Sequence, residues 1–345
     1  MKTWQIGAGA GIASLECVER PLPEPGRGEV LIRVRAAALN HRDLMIVSGR
    51  YHGPKPATRV PLGDGMGEVV RWGDDVGGLS VGDRVSSVHF VRWLAGGFRG
   101  DVFEEDLGST RDGWLSEYIV LPAAALVRVP DAIDDLSAAA IPAAGVTAWS
   151  VIHAFGKVRP GETVLTIGTG GVSMIAIQIA RMAGARSVLL SSSAGKIAAA
   201  ALAGVEADIA IDTSRAPDWS EAVREATGGG ADIVVETVGT ATLQRSIAAC
   251  AVNGRIGLIG ALGGTEPPRL DGLIARNVTI RGIASGSAEM LRILLDAYVA
   301  SGMRPAIGAS FAFGDAPRAY ATLAEAGHVG KICIEMPGLD TPGSA

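Results

Sequence analysis

Thr163-Val-Leu-Thr-Ile-Gly168-Thr-Gly170-Gly171-Val172-Ser173-Met-Ile-Ala-Ile-Gln-Ile-Ala-Arg-Met-Ala-Gly184 is the stretch that decides how this chain is read. A short apolar run enters a glycine-rich turn, and the turn opens at once into a helix. Val172, Ile175, Ala176 and Ile179 fall on one face at helical spacing, and Gly184 is a natural stop. A glycine turn of this kind lets backbone N–H groups approach a pyrophosphate at the positive end of a helix. Gly168, Gly170, Gly171, Val172 and Ser173 are therefore the expected phosphate loop. Ser173 stands where Gly-x-Gly-x-x-Gly usually has its third glycine.

On either side of this loop, apolar strands alternate with helical stretches. The expected strands are Thr163–Ile167, Ser187–Leu190, Asp208–Ile211, Asp232–Glu236, Arg255–Ile259 and Val278–Ile283. One helix is expected to start near Asp218, where Glu221 makes a capping-box pattern, and another to run from Ala241 to Cys250. Near-continuous apolar strands in such an alternation imply a parallel sheet covered on both faces, with the dinucleotide at the carboxyl ends of its strands. The second strand is followed by Ser191-Ser192-Ser193-Ala194-Gly195-Lys196. An NAD-preferring site places an acid there for the ribose hydroxyls, whereas hydroxyls and an ammonium suit a 2′-phosphate. NADPH is the expected cofactor. The alternative is a serine-capped helix whose lysine points into water.

Residues 1–125 have a different grain. Turn signals such as Pro23-Glu-Pro25-Gly26, Gly73-Asp-Asp75 and Val81-Gly82-Asp83-Arg84 separate short runs at Val30–Val34, Glu68–Val70 and Ser116–Leu121, an all-β pattern. Gly7-Ala-Gly9-Ala-Gly11 leads into no clear helix and is read as a hairpin turn. The last residues are mixed, with helices near Ala288–Ala300 and Ala316–Ala326, a strand at Lys331–Glu335 and a loose end from Pro337.

A chain of 345 residues exceeds what one hydrophobic core usually supports, so two domains are expected. The formal charge of −5 is spread without a basic block, which argues against nucleic acid and against an anionic membrane surface. No apolar run approaches the roughly 20 residues that span a bilayer. The first residues lack the layout of a secretory signal. Cys17, Cys250 and Cys333 have no metal-ligand spacing and suit free thiols in a reducing cytoplasm.

Several further motifs stand in order along the chain. They are Leu39-Asn40-His41-Arg42-Asp43 with Ser48-Gly49-Arg50-Tyr51, Pro61-Leu62-Gly63-Asp64-Gly65-Met66-Gly67-Glu68-Val69, and Val81-Gly82-Asp83-Arg84-Val85. Ala144-Gly145-Val146-Thr147-Ala148-Trp149, the loop Gly168–Ser173, the turn Ser191–Lys196, Arg281-Gly282-Ile283 and His328-Val-Gly330-Lys331 complete the series. With them the chain resembles, end to end, the medium-chain dehydrogenase/reductase superfamily, and within it the zinc-lacking, quinone-oxidoreductase-like branch. The resemblance implies an α/β fold in which a Rossmann domain joins a β-rich, chaperonin-10-like catalytic domain. The implied boundaries are 1–144 catalytic, 145–285 cofactor-binding and 286–345 returning to the catalytic domain. It also implies a cleft between the domains and assembly as a homodimer or homotetramer.

Zinc-dependent members polarise the substrate oxygen with a metal that needs three protein ligands and an open position. By the resemblance, Asn40, Gly63 and Ala143 stand where those ligands would be, and Asp64 is a neighbouring acid. The segment Phe90–Asp112, which replaces the lobe of four structural cysteines, has no cysteine. No zinc is expected. What remains is hydride transfer from NADPH to a small electrophile, a quinone or an α,β-unsaturated carbonyl. Such acceptors need orientation and a proton source more than a strong Lewis acid. Asn40 is the expected donor to the acceptor oxygen or ribose, and His41 a proton relay or a pyrophosphate contact. The resemblance places Thr147 against the nicotinamide, and Gly239, Gly260 and Ala261 at strand ends close to the cofactor. Lys331 would reach its phosphates, the alternative being a surface lysine. His89, Phe90, Trp93 and Phe98 would line or lid the cleft, or else simply pack within the loop. Two other readings stay open: an alcohol or ketone oxidoreductase using NADP(H) without metal, and a weakly catalytic NADPH-binding interaction protein.

Overall fold

The computed structural model describes residues 1–7, 11–51, 58–260 and 271–337. Ala261, the middle of the Gly7–Gly11 stretch expected to turn, and the end of the chain lie outside the described residues. The chain divides into two compact units, Met1–Ala143 with Ser287–Ala300 and Ala309–Ala345, and Ala144–Gly286 with Ser301–Gly308.

The first unit opens with β1 (Lys2–Ile6) and β2 (Leu15–Glu19), which pair antiparallel. It continues with β3 (Glu29–Leu39), β4 (Asp64–Trp72), β5 (Arg84–Ser86), β6 (Tyr118–Pro122) and β7 (Val127–Arg128). The second unit carries β8 (Thr163–Ile167), β9 (Arg186–Ser191), β10 (Ile209–Asp212), β11 (Ala231–Glu236), β12 (Cys250–Leu258) and β13 (Thr279–Gly282). β14 (Ile307–Ala312) and β15 (Lys331–Glu335) close the chain.

A seven-stranded sheet runs β14-β15-β3-β4-β5-β7, with β6 paired to β3. Val30, Ile32 and Val34 alternate along β3 and are all buried, and the helix Ala316–Glu325 adds Ala319, Tyr320 and Leu323 to the same core. The register places the functional residues. β3 lies antiparallel between β4 and β15, with Ala38 opposite Asp64 and Leu39 opposite Ile332. Asn40, the residue after β3, is therefore flanked by the first residues of both neighbours, Asp64 and Lys331.

The second unit is a six-stranded, all-parallel sheet in the order β10-β9-β8-β11-β12-β13. The chain moves outward one way from β8 and then returns to its other side, so the order reverses between β8 and β11. That is where open sheets of this kind bind nucleotides. All six expected strands are present. β12 begins earlier than expected, at Cys250, because Asn253 adopts φ 63° and the pairing with β11 shifts register before resuming at Arg255. Asp218 does precede the helix Trp219–Thr227, but no capping box closes. Its carboxylate accepts instead from the Ser220 hydroxyl at 2.5 Å. No helix among the described residues is long and apolar enough to cross a membrane.

Candidate active site

Asn40 caps the short helix His41–Val47, and its side chain is held from two sides. Its Nδ2 donates to Asp64 Oδ2 at 2.8 Å, and its Oδ1 accepts from Lys331 Nζ at 2.5 Å. Lys331 Nζ also lies 3.3 Å from Asp64 Oδ2, and both side chains are buried, 3% and 0% exposed. The Ala143 amide donates to the same carboxylate, at 3.0 Å to Oδ1 and 3.2 Å to Oδ2. An isolated buried ammonium or carboxylate is unfavourable by several kcal/mol, so each here requires the other. The sequence reading offered Lys331 either as a contact to the cofactor phosphates or as a surface lysine. In the fold it is not at the surface: its ammonium is buried and engaged with Asn40 and Asp64, because β15 starts level with the end of β3.

Beside this cluster Arg42 fills the space that Gly63 leaves open. A Cβ at Gly63 would come within 2.5 Å of Arg42 Nη1. The guanidinium donates to Asp106 Oδ1 at 2.6 Å and to the Leu107 carbonyl at 3.0 Å, and lies over the Tyr51 ring. His89 Nδ1 pairs with the same Asp106 oxygen at 2.8 Å. Burial first, then the Arg42 charge, lowers the His89 pKa. His89, Phe90 and Trp93 are thus packed inside the unit rather than lining an opening, and of the four aromatic and histidine candidates Phe98 alone is exposed. For the three buried residues the packing alternative holds, because Asp106 and Phe103 come back to meet His89 and Phe90. His41 is exposed, and partial desolvation followed by the Arg50 charge holds its pKa below the usual value. At neutral pH it is an uncharged imidazole that can pass a proton.

Asp43 accepts the Asn40 amide at 2.7 Å and is buried. Burial, opposed by Arg42 and the Asn40 amide, raises its pKa from 3.8 to about 6. The folded protein therefore binds more protons than the unfolded chain between those two values. Stability declines as pH rises through that window and stays lower above it, by up to ~3 kcal/mol. Asp43→Asn should flatten this decline. Melting temperatures from pH 4 to pH 7 check it, and parallel profiles for the two proteins would refute it.

In the second unit the phosphate-loop residues come together at the end of β8. Gly168 has φ 77° with open space on its Cβ side, and Gly170 caps the helix Gly171–Met182. The first amides of a helix have no partner within it and can receive a phosphate oxygen. Ser173 stands in the place of the usual glycine, and its buried hydroxyl donates to the Ile167 carbonyl at 2.8 Å and ties helix to strand. The Thr237 hydroxyl donates to the same carbonyl at 2.8 Å, which brings the end of β11 to that of β8. Gly239 has φ 111°, and a Cβ on Gly260 would overlap the Thr237 carbonyl, so both positions require glycine. Thr147 is buried on the helix Pro142–Trp149.

At the end of β9 the three serines have separate roles. The Ser191 hydroxyl is turned inward to the Ser193 carbonyl at 3.3 Å. Ser193 caps the helix Ala194–Leu202 by accepting the Lys196 amide, which leaves its O–H free to donate elsewhere. Ser192 is exposed and Lys196 half-buried. The sequence reading missed Glu236, the buried last residue of β11. Its Oε1 accepts from the Val238 and Gly239 amides at 2.9 and 3.0 Å and from the Thr242 hydroxyl at 2.8 Å, and its Oε2 from the Ser246 hydroxyl. The signal was an acid ending an apolar strand, with hydroxyl residues four apart on the helix that follows.

Residues 26–131 match the alcohol dehydrogenase GroES-like domain, and residues 171–300 match the zinc-binding dehydrogenase family. A zinc-type alcohol dehydrogenase-like protein of Schizosaccharomyces pombe is 37% identical over 338 residues, 95% of this chain and 96% of its own length. The chain belongs to the medium-chain dehydrogenase/reductase superfamily. An acryloyl-coenzyme A reductase of Metallosphaera sedula is 32% identical over 90% of this chain and 93% of its own. The structure of mycobacterial Rv1454c complexed with NADPH superposes with a TM-score of 0.81 at 28% identity, covering 97% of this chain and 99% of that one.

Membership raises the question of zinc, and the residues present do not fit it. Asp64 already accepts from Asn40, Ala143 and Lys331, Gly63 has no side chain, and Arg42 fills the space beside it. Among the described residues no group of three His, Cys, Asp or Glu is placed to hold a metal. A nicotinamide dinucleotide does fit: the glycine turn at the reversal of strand order leaves its Cβ side open before a twelve-residue helix.

Proposed function

We propose that this chain is an NADPH-preferring reductase that works without metal and delivers hydride to a quinone or an α,β-unsaturated carbonyl. The observation that carries the reading is the Asn40–Asp64–Lys331 cluster, in which an amide and an ammonium are held against a buried carboxylate. When bound, the dinucleotide supplies the hydride. The chain's own residues hold and orient. The loop Gly168 to Ser173 takes the pyrophosphate, and Ser192, Ser193 and Lys196 take the 2′-phosphate. Thr147, Gly239, Gly260 and Ala261 make room for the nicotinamide half. Asn40 fixes the acceptor oxygen, and His41 passes the proton that completes the reduction. An acceptor conjugated to a carbonyl spreads the incoming charge, so positioned donors suffice in place of a Lewis acid.

Two likenesses support this reading: relatives named acryloyl-coenzyme A reductase, whose substrate is such an acceptor, and the NADPH bound to Rv1454c. The absence of an acid at the end of β9 favours the phosphorylated cofactor. The same reading has the enzyme in the cytoplasm as a homodimer or homotetramer, away from nucleic acid and membrane. NADPH consumption by the chelator-stripped enzyme, assayed with a small quinone and with a 2-alkenal, tests it. Turnover of either acceptor should survive chelation. No turnover of either by enzyme that binds NADPH would overturn the proposal.

A further inference from the structure

Lys331 is a buried cation with a hydrogen to spare. An ammonium has three N–H donors. Asn40 Oδ1 and Asp64 Oδ2 account for two of them, and the third has no partner among the described residues. Asp64 does not depend on Lys331 alone for hydrogen bonds, since Asn40 and the Ala143 amide also donate to it. Asn40 is half-buried and His41 beside it is exposed, so the cluster lies one residue from solvent. A positive group fixed in place, shielded from water and incompletely hydrogen-bonded is what an oxyanion needs.

We propose that the Lys331 ammonium receives the substrate oxygen and stabilises the negative charge that hydride transfer places on it, an inference that rests on the hydride-transfer reading above. In that step the hydride leaves C4 of the reduced nicotinamide with its electron pair and bonds to the β-carbon of the acceptor. The C=C pair shifts to join the α-carbon to the carbonyl carbon, and the carbonyl π pair moves onto oxygen. The products are an enolate and the oxidised nicotinamide. Lys331 donates its third N–H to the enolate oxygen while Asn40 and Asp64 keep the ammonium in place. The α-carbon then takes its proton through His41, which is exposed and regains one from solvent. The positive charge is fixed before the reaction begins, so no rearrangement is needed as the negative charge forms.

The test uses an oxyanion and needs no turnover. 4-Nitrophenolate, followed by its absorbance at a pH where it is ionised, is titrated into the full-length protein loaded with NADP+. Wild type should bind it, and Lys331→Met should bind it roughly tenfold to a hundredfold more weakly with NADP+ affinity unchanged. Lys331→Arg, which keeps the charge, should restore most of the binding. If Lys331→Met does not fold because Asp64 lacks its counter-charge, the double variant Lys331→Met/Asp64→Asn removes both charges and reads the same quantity. Equal phenolate affinity in wild type and variant would overturn the proposal, as would no binding by wild type. Loss of NADP+ affinity without loss of phenolate affinity would also overturn it and return Lys331 to the cofactor phosphates. Phenolate binding by an enzyme that reduces neither acceptor would support this role for Lys331 while removing the proposed reaction.

Discussion

Glu236→Leu is expected to lower the melting temperature of the dinucleotide-type unit by roughly 10 °C. The carboxylate is fully buried at the end of β11 and receives four hydrogen bonds from the turn and helix that follow. Leucine is similar in volume, so the cost comes from lost acceptors and not from a cavity. The Thr242 hydroxyl can turn to the Gly239 carbonyl, 3.3 Å away, and Ser246 can turn to a carbonyl of its own helix. The amides of Val238 and Gly239 have no such option, because Gly239 is fixed at φ 111° as the helix cap. Two orphaned amides, one buried and one partly buried, at ~1–3 kcal/mol each, account for about 2–6 kcal/mol. Glu236→Gln keeps one acceptor oxygen and should lose less. Calorimetric or circular-dichroism melting of the three proteins checks the order. A leucine variant that melts with wild type would show that the turn finds other acceptors.

Local chemistry was legible in the sequence wherever it is carried by neighbours along the chain. The strand–turn–helix from Thr163 to Gly184 was plain because periodicity and glycine placement are properties of consecutive residues. The start of β12 was less so, since Asn253-Gly254 is a turn signal that the fold absorbs as a register shift within one strand. Ser191–Lys196 read either as a pocket of hydroxyls or as a serine-capped helix start; Ser193 does cap the helix, and the Ser191 hydroxyl closes the turn, uses that composition does not assign residue by residue. The active cluster was half legible. Asn40 and Asp64 lie in motifs that resemblance could align. Lys331 reaches them across sequence separations of 291 and 267 residues, and only the register of β15 on β3 reveals that its ammonium meets Asn40 and Asp64. Arg42 was similarly hidden, because nothing in the sequence shows that the space beside Gly63 is filled from the neighbouring helix.

Ser192→Glu is expected to reverse the nucleotide preference. The turn after β9 holds Ser191 inward and uses Ser193 as a helix cap, so changing either would disturb the turn itself. Ser192 is exposed between them, at the strand end where an NAD-dependent fold presents its acid. A carboxylate here would oppose the 2′-phosphate of NADPH and set its charge against Lys196, removing a charge-assisted contact and adding a like-charge one. NADPH affinity should fall on the order of a hundredfold. NADH affinity should hold or rise, because the same carboxylate accepts from the ribose hydroxyls. Titrating the intrinsic fluorescence of wild type and variant with each nucleotide gives both constants, and repeating it at higher salt should shrink the NADPH difference. An unchanged NADPH-to-NADH ratio would mean that the 2′-phosphate is not bound at the end of β9, and the assignment of Ser192, Ser193 and Lys196 would fall with it.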